Sequence, residues 1–235
     1  MIFATNFKTN NTRNSTRQYV ENLKEFIMEN EIKEDILVFP TSTAIDSFSL
    51  PENIRVGVQN AYPVEKGSFT GEIGLEQIAE FGIRTILIGH SERRTLLKEP
   101  QELIVNKFNY FKKKGFEIVY CVGESKEIRD EGFESAMEYI WSEFNGIDIS
   151  YEKLTVAYEP IWAIGTGVSA KTKDIDEVLS SLRVKIKCPI LYGGSVKSSN
   201  IKEIISIKDC DGVLVGSASW EVESFCKIIK NGIKG

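Results

Sequence analysis

Short β-branched or apolar runs alternate with longer amphipathic stretches along the whole chain. Ile2–Asn6 reads as a strand, and Thr16–Asn30 as a helix with Tyr19, Leu23, Phe26 and Ile27 on one face. Ile36–Phe39 is a buried strand, followed by a short helical piece near Ser42–Phe48. Arg55–Gln59 reads as the third strand, and a long polar loop follows it. Leu75–Phe81 is a helix ending at Gly82, a C-terminal cap. Thr85–Ile88 is the fourth strand, and Gln101–Lys114 a helix closed by Gly115. Glu117–Cys121 is the fifth, with one helix, Glu127–Phe144, after it. Leu154–Tyr158 leads to helix Lys173–Lys187, and Ile190–Tyr192 to the short helix Ser199–Ser206. Val213–Val215 and the helix Val222–Lys230 complete the pattern.

These are eight strand–helix units in strict alternation. Such alternation predicts an α/β protein, with a parallel sheet covered by helices. Eight units with short strands fit a closed (β/α)8 barrel better than an open doubly wound sheet. No composition shift or Pro/Gly/Ser linker divides them, so residues 1–235 are expected to form a single domain. No G-x-G-x-x-G follows the first strand, which weakens a dinucleotide-binding reading.

Composition narrows the partners. With 42% hydrophobic and 27% charged residues, 235 residues can bury a sizeable core. A net charge of -5 without a basic block argues against a nucleic-acid partner. The run Lys112-Lys113-Lys114 sits at a predicted helix end, where cations suit the dipole. Cys121, Cys188, Cys210 and Cys226 are scattered, with no CxxC and no histidine at a metal spacing. That favours reduced thiols in a cytoplasmic protein and predicts no metal site. The N-terminus turns polar too soon for a secretory signal. No apolar run approaches the ~20 residues of a membrane span, so no membrane partner is expected.

In a (β/α)8 barrel, functional groups collect at the C-terminal ends of the strands. Asn6 and Lys8 follow strand one, His90 and Glu92 strand four, and Glu159 strand six. Gly193-Gly194-Ser195 follows strand seven and Gly216-Ser217 strand eight, where glycine-rich turns suit a phosphate. Pro160 biases Glu159 towards an extended conformation. The mix of Ile161, Trp162 and Ile164 with Gly165 and Gly167 suits a loop that is exposed in one state and packed in another. A carboxylate beneath such a loop is how a base under a lid is built. The stretch equally fits a packed turn with an ion-paired glutamate. His90, the only histidine, precedes Ser91–Arg94, which could open a helical turn and favour a neutral imidazole. Lys8 fits either an inward role or a solvated strand end, and Glu92 with Arg93-Arg94 either a site or a local ion-pair cluster. Cys121 reads as a small buried hydrophobe. Asp46, Asp148 and Asp211 show no partnering pattern.

Taken in order, these segments resemble the triosephosphate isomerase family over nearly the whole chain. Asn6-Phe7-Lys8 is similar to the family's N-W-K, with Phe for Trp. Gly89–Arg94 (G-H-S-E-R-R) resembles its histidine loop, and Tyr158–Gly167 its glutamate and lid signature. Tyr192–Val196 and Gly212–Ser219 resemble its phosphate-binding turns, and Gly71-Glu72 its dimer-contact loop.

The resemblance implies a TIM barrel that interconverts dihydroxyacetone phosphate and D-glyceraldehyde 3-phosphate without metal or cofactor. It implies Glu159 as base, neutral His90 as electrophile, and Lys8 as the cation offsetting substrate charge. Asn6 would bond the substrate oxygens, and Glu92 would orient Lys8. Gly165, Ser195, Gly216 and Ser217 would present N–H groups to phosphate. Ile164 and Leu214 would press on Glu159, and Tyr192 would support the phosphate turn. It further implies a homodimer through the loop around Thr70. Ser217 stands where the family usually has a second glycine. Its φ is expected to be negative, so that the N–H contact survives. The alternatives are another phosphate-binding barrel enzyme and a non-catalytic barrel.

Overall fold

The computed structural model describes residues 1–164 and 170–233. Eight parallel strands form one sheet. They are β1 (Ile2–Asn6), β2 (Asp35–Phe39), β3 (Ile54–Val56), β4 (Thr85–Ile88), β5 (Glu117–Val122), β6 (Leu154–Tyr158), β7 (Ile190–Tyr192) and β8 (Gly212–Val215). Their order is β3-β2-β1-β8-β7-β6-β5-β4. The two edges meet through a parallel bridge between Val58 and Ile86. Val58 N–H donates to Thr85 O at 3.0 Å, and Leu87 N–H to Val58 O at 2.9 Å. The sheet is therefore the nearly closed barrel that the alternation predicts.

The helices follow the strands in sequence: α1 (Arg13–Glu29), α2 (Leu75–Ala79), α3 (Ser91–Thr95), α4 (Gln101–Lys113), α5 (Lys126–Asp130), α6 (Phe133–Ser142), α7 (Thr172–Arg183), α8 (Ile201–Ile205) and α9 (Val222–Gly232). Helix α1 starts three residues before the expected Thr16, because Thr12 and Ser15 form a reciprocal capping box. The expected single helix over 127–144 is two, α5 and α6, broken at Gly132, where φ is +122°. The third strand keeps regular pairing only to Val56, and the expected helical piece after β2 is one 3-10 turn, Ser42–Ala44. Among the described residues no helix is long and apolar enough to cross a membrane.

Strand residues alternate between two cores. Ala4, Leu37, Phe39, Leu87, Val119, Cys121, Ala157, Leu191 and Leu214 belong to the small core inside the barrel. Phe3, Tyr120, Tyr158, Tyr192 and Val213 join the larger core between strands and helices. At the N-terminal end Arg55 bonds Asp35 at 2.8 Å and Glu117 at 3.0 Å. The three aspartates without a sequence signal all have partners: Asp46 with Arg13 and Arg17, Asp148 with Lys112, and Asp211 with Arg183. Each of these partners lies far along the chain, so no local spacing could announce it.

The seam between β1 and β8 leaves no room for a side chain at Gly212. A Cβ on Gly212, whose φ is +156°, would lie 1.9 Å from Ile2 O. Gly212→Ala is therefore expected to destabilise the fold by about 3 kcal/mol or more. That corresponds to a fall in Tm of roughly 6–12 °C for a chain of this size. A melting curve within 2 °C of wild type, on the scale of that same estimate, would contradict the account.

Candidate functional site

The inward positions one layer above the barrel core decide where chemistry can sit. Continuing the inward series, β4, β5, β7 and β8 are each followed by a glycine: Gly89, Gly123, Gly193 and Gly216. In the same phase β1 presents Asn6 and β6 presents Glu159. The result is a cavity of about 480 Å³ into which polar side chains project. Asn6, Lys8, His90, Glu92 and Glu159 line it. So do Ile164, Ser195, Leu214, Gly216 and Ser217. Gly193 leaves the room that Glu159 occupies, since a Cβ there would lie 2.9 Å from Glu159 Cγ.

Glu159 is 2% exposed. Its Oε2 accepts the Ser91 N–H at 2.9 Å, and its Oε1 lies 3.0 Å from His90 Nε2. His90 caps α3, and its Nδ1 accepts the Glu92 N–H at 3.2 Å. A backbone N–H can only donate, so Nδ1 is the unprotonated nitrogen of a neutral ring. Nε2 then carries the proton and donates it to Glu159. Burial pushes the Glu159 carboxyl up, but the His90 contact, the Ser91 N–H and the charge of Lys8 outweigh burial. The carboxyl is held below its ordinary value. An ionised carboxylate thus faces a neutral imidazole that can act as a donor.

Lys8 follows β1 in the left-handed region, with φ +53°. Its Nζ meets Glu92 Oε1 at 2.7 Å, and its backbone N–H donates to Asn6 Oδ1 at 2.9 Å. Lys8 is therefore turned into the site, not out to solvent. Beyond β6, Trp162 Nε1 and the Tyr158 hydroxyl both reach Glu124 Oε1, at 2.9 and 3.1 Å. These bonds anchor the start of the stretch expected to act as a lid. Gly165, with the rest of the stretch from Thr166 to Ser169, lies outside the described residues.

Ser217 opens a 3-10 turn, Ser217–Ser219, and is absent from the residues with positive φ, in line with the expectation. Tyr192 stands apart from the cavity. Its ring lies in the outer core, and its hydroxyl occupies the space that a Cβ on Gly194 would need, 2.2 Å away. It shapes the turn from behind. Among the described residues no group of three or more His, Cys, Asp or Glu side chains could hold a metal ion.

Three contributors carry little sequence signal. Gln59, Trp220 and Glu124 are single polar or aromatic residues outside any glycine-rich turn. Trp220 lines the cavity and donates its indole N–H to Asn6 O at 3.3 Å. A tryptophan after G-S-A-S was the available hint.

A second groove of about 650 Å³ shares Asn6, Lys8, His90, Glu92 and Trp220 with the cavity. Gly71, Glu72, Leu96 and Leu97 bound it, and the two leucines are 73% and 64% exposed.

The family model described as triosephosphate isomerase matches residues 1–232. A protein of that name from Nitratiruptor sp. is 53% identical over 230 residues, covering 98% of this chain and 97% of the relative. One from Sulfurovum sp. is 54% identical over 229 residues, covering 97% and 99%. One from Wolinella succinogenes is 51% identical over 230 residues, covering 98% and 99%.

The electrostatics of Glu159 can be read without substrate. A carboxyl held below its ordinary value stabilises the fold above the unfolded value, 4.5, and that contribution is lost as pH falls through the folded value. Melting curves of wild type and Glu159→Gln from about pH 6 to 3.5 should therefore draw together in acid. Parallel curves over the whole range would show that the contacts of Glu159 do not favour its charged form.

Proposed function

Because the chain belongs to the triosephosphate isomerase family, we infer that it is an isomerase interconverting dihydroxyacetone phosphate and D-glyceraldehyde 3-phosphate. The observation that carries the mechanism is the buried contact of Glu159 with a neutral His90. The family is itself the standard illustration of that pairing, and of a lid closing over it. Substrate entry exchanges partners. The carbonyl oxygen takes the His90 Nε2–H, which frees Glu159 to reach the carbon beside the carbonyl. Glu159 removes a proton there, and His90 moves protons between the two oxygens of the enediolate. Lys8, held by Glu92, offsets the charge that builds on the enediolate and phosphate. Asn6 bonds the substrate oxygens.

The backbone N–H groups of Ser195, Gly216 and Ser217, with Gly165, receive the phosphate. Ile164 and Leu214, which line the same cavity, press on Glu159 as the lid closes and strip water from its carboxylate, which strengthens the base. Four free cysteines favour a reducing compartment, and the cytoplasm is the expected location.

The groove beside the site supports a homodimer. Exposed Leu96 and Leu97 flank it, and an apolar surface of this kind marks a contact site. In the loop between β3 and α2, Phe69 packs on Tyr62 with ring centroids 4.5 Å apart, which holds Thr70 outwards. Thr70 of a second copy inserts beside Lys8 in a two-fold arrangement.

Two measurements test these assignments. In a coupled assay with glyceraldehyde 3-phosphate, Glu159→Gln should lose at least ~10³-fold in turnover, about 4 kcal/mol of barrier. Retention of more than about a tenth of the activity would remove Glu159 from the role of base. Thr70→Arg places a charge in the dimer contact and should give a weakly active monomer by light scattering. Wild-type protein that is already monomeric at micromolar concentration would end the dimer reading.

A further inference from the structure

Gln59 follows β3 at the inward phase of Arg55 and Gly57, one residue past the bridge that closes the barrel. Its Nε2 donates two hydrogen bonds, to Lys8 O and to Phe39 O, each at 2.9 Å. Phe39 O also accepts the Phe7 N–H at 3.0 Å. One side-chain amide thus ties the turn after β1 to the end of β2 and to the closing strand. Among the described residues no other donor reaches the Lys8 carbonyl.

That carbonyl belongs to a strained residue. A non-glycine residue at φ +53° costs on the order of 1 kcal/mol and persists only where its surroundings hold it. Asn6 Oδ1 holds the N–H side of Lys8, and Gln59 holds the C=O side. The left-handed turn directs the side chain back over the barrel end, where Nζ reaches Glu92. Relaxation to an ordinary extended or helical backbone would carry the ammonium away from the cavity.

We propose that Gln59 is a positioning residue for the reaction: its amide locks the left-handed backbone of Lys8 and so fixes the ammonium over the substrate site. The proposal rests on the reading of Lys8 as the cation that faces substrate. Both targets are carbonyls, so the position needs a donor, and the two N–H groups of the Gln59 amide supply one to each. Gln59 also lines the groove assigned to the second subunit, so it stands where occupancy of the groove meets the turn that carries Lys8.

A double-mutant cycle tests the coupling, because residues acting as a unit are non-additive. Turnover, KM and the Kd of 2-phosphoglycolate are measured for wild type, Gln59→Met, Lys8→Met and the double variant. Gln59→Met should lower kcat/KM by about tenfold, a cost of ~1.4 kcal/mol. In the Lys8→Met background the same change should alter kcat/KM and inhibitor Kd by less than twofold, because the group it positions is gone. A tenfold loss that persists without the lysine would make Gln59 a general structural residue and overturn the proposal. So would a Gln59→Met enzyme within twofold of wild type. If Gln59→Met does not fold, Gln59→Glu enters the same cycle. It keeps the shape and sets acceptors against both carbonyls, so the loss should be at least as large and should again vanish with the lysine. Wild-type activity in Lys8→Met would instead overturn the role of the lysine, and the proposal with it.

Discussion

Two backbone N–H groups at the first turn of α3 govern the candidate site. The Glu92 N–H bonds His90 Nδ1 and so fixes a neutral imidazole with its proton on Nε2. The Ser91 N–H bonds Glu159 and helps to keep it ionised in a buried place. Both depend on α3 starting at Ser91, immediately after the fourth strand and Gly89. Backbone groups cannot rotate away as side chains can. The protonation states of acid and base are therefore set by the fold before any ligand arrives.

A division of labour follows. Neutral donors contact the Glu159 carboxylate directly, the Lys8–Glu92 ion pair stands beside them in the same cavity, and Arg55 with Asp35 and Glu117 lies at the opposite end of the barrel. The middle of the barrel holds small apolar side chains such as Ala4, Cys121 and Ala157. Low polarity beneath the site strengthens each electrostatic contact above it. The same burial would neutralise Glu159 if its partners were absent.

The sequence exposed the architecture more fully than the positioning of the site. Strands β1, β4, β6 and β7 carry dense apolar runs whose boundaries agree with the pairing. Glu159, His90, Lys8 and Asn6 were legible because each stands at or just past a strand end, and the structure brings them to one cavity. The break at Gly132 leaves no clear mark, because an isolated glycine inside a helical pattern can be tolerated. Gln59 falls at the end of an expected strand, and Trp220 lies outside every segment the sequence marks. Their contributions are contacts with backbone carbonyls up to 214 residues away along the chain. The partners of Asp46, Asp148 and Asp211 were hidden for the same reason. Long-range hydrogen bonds leave no periodicity.

The alternation that separates the two cores also constrains how this chain can change length. Asn6 and Glu159 reach the cavity only because they share the phase of Ala4 and Ala157. One residue inserted within β6 would bring Tyr158 to the place of Glu159 and turn the carboxylate towards the helices. Insertions and deletions in these two strands can therefore survive selection only in pairs. The helices and outer loops are free of that parity. Length variation among descendants of this sequence should accordingly accumulate outside the barrel wall, while the strands keep their count.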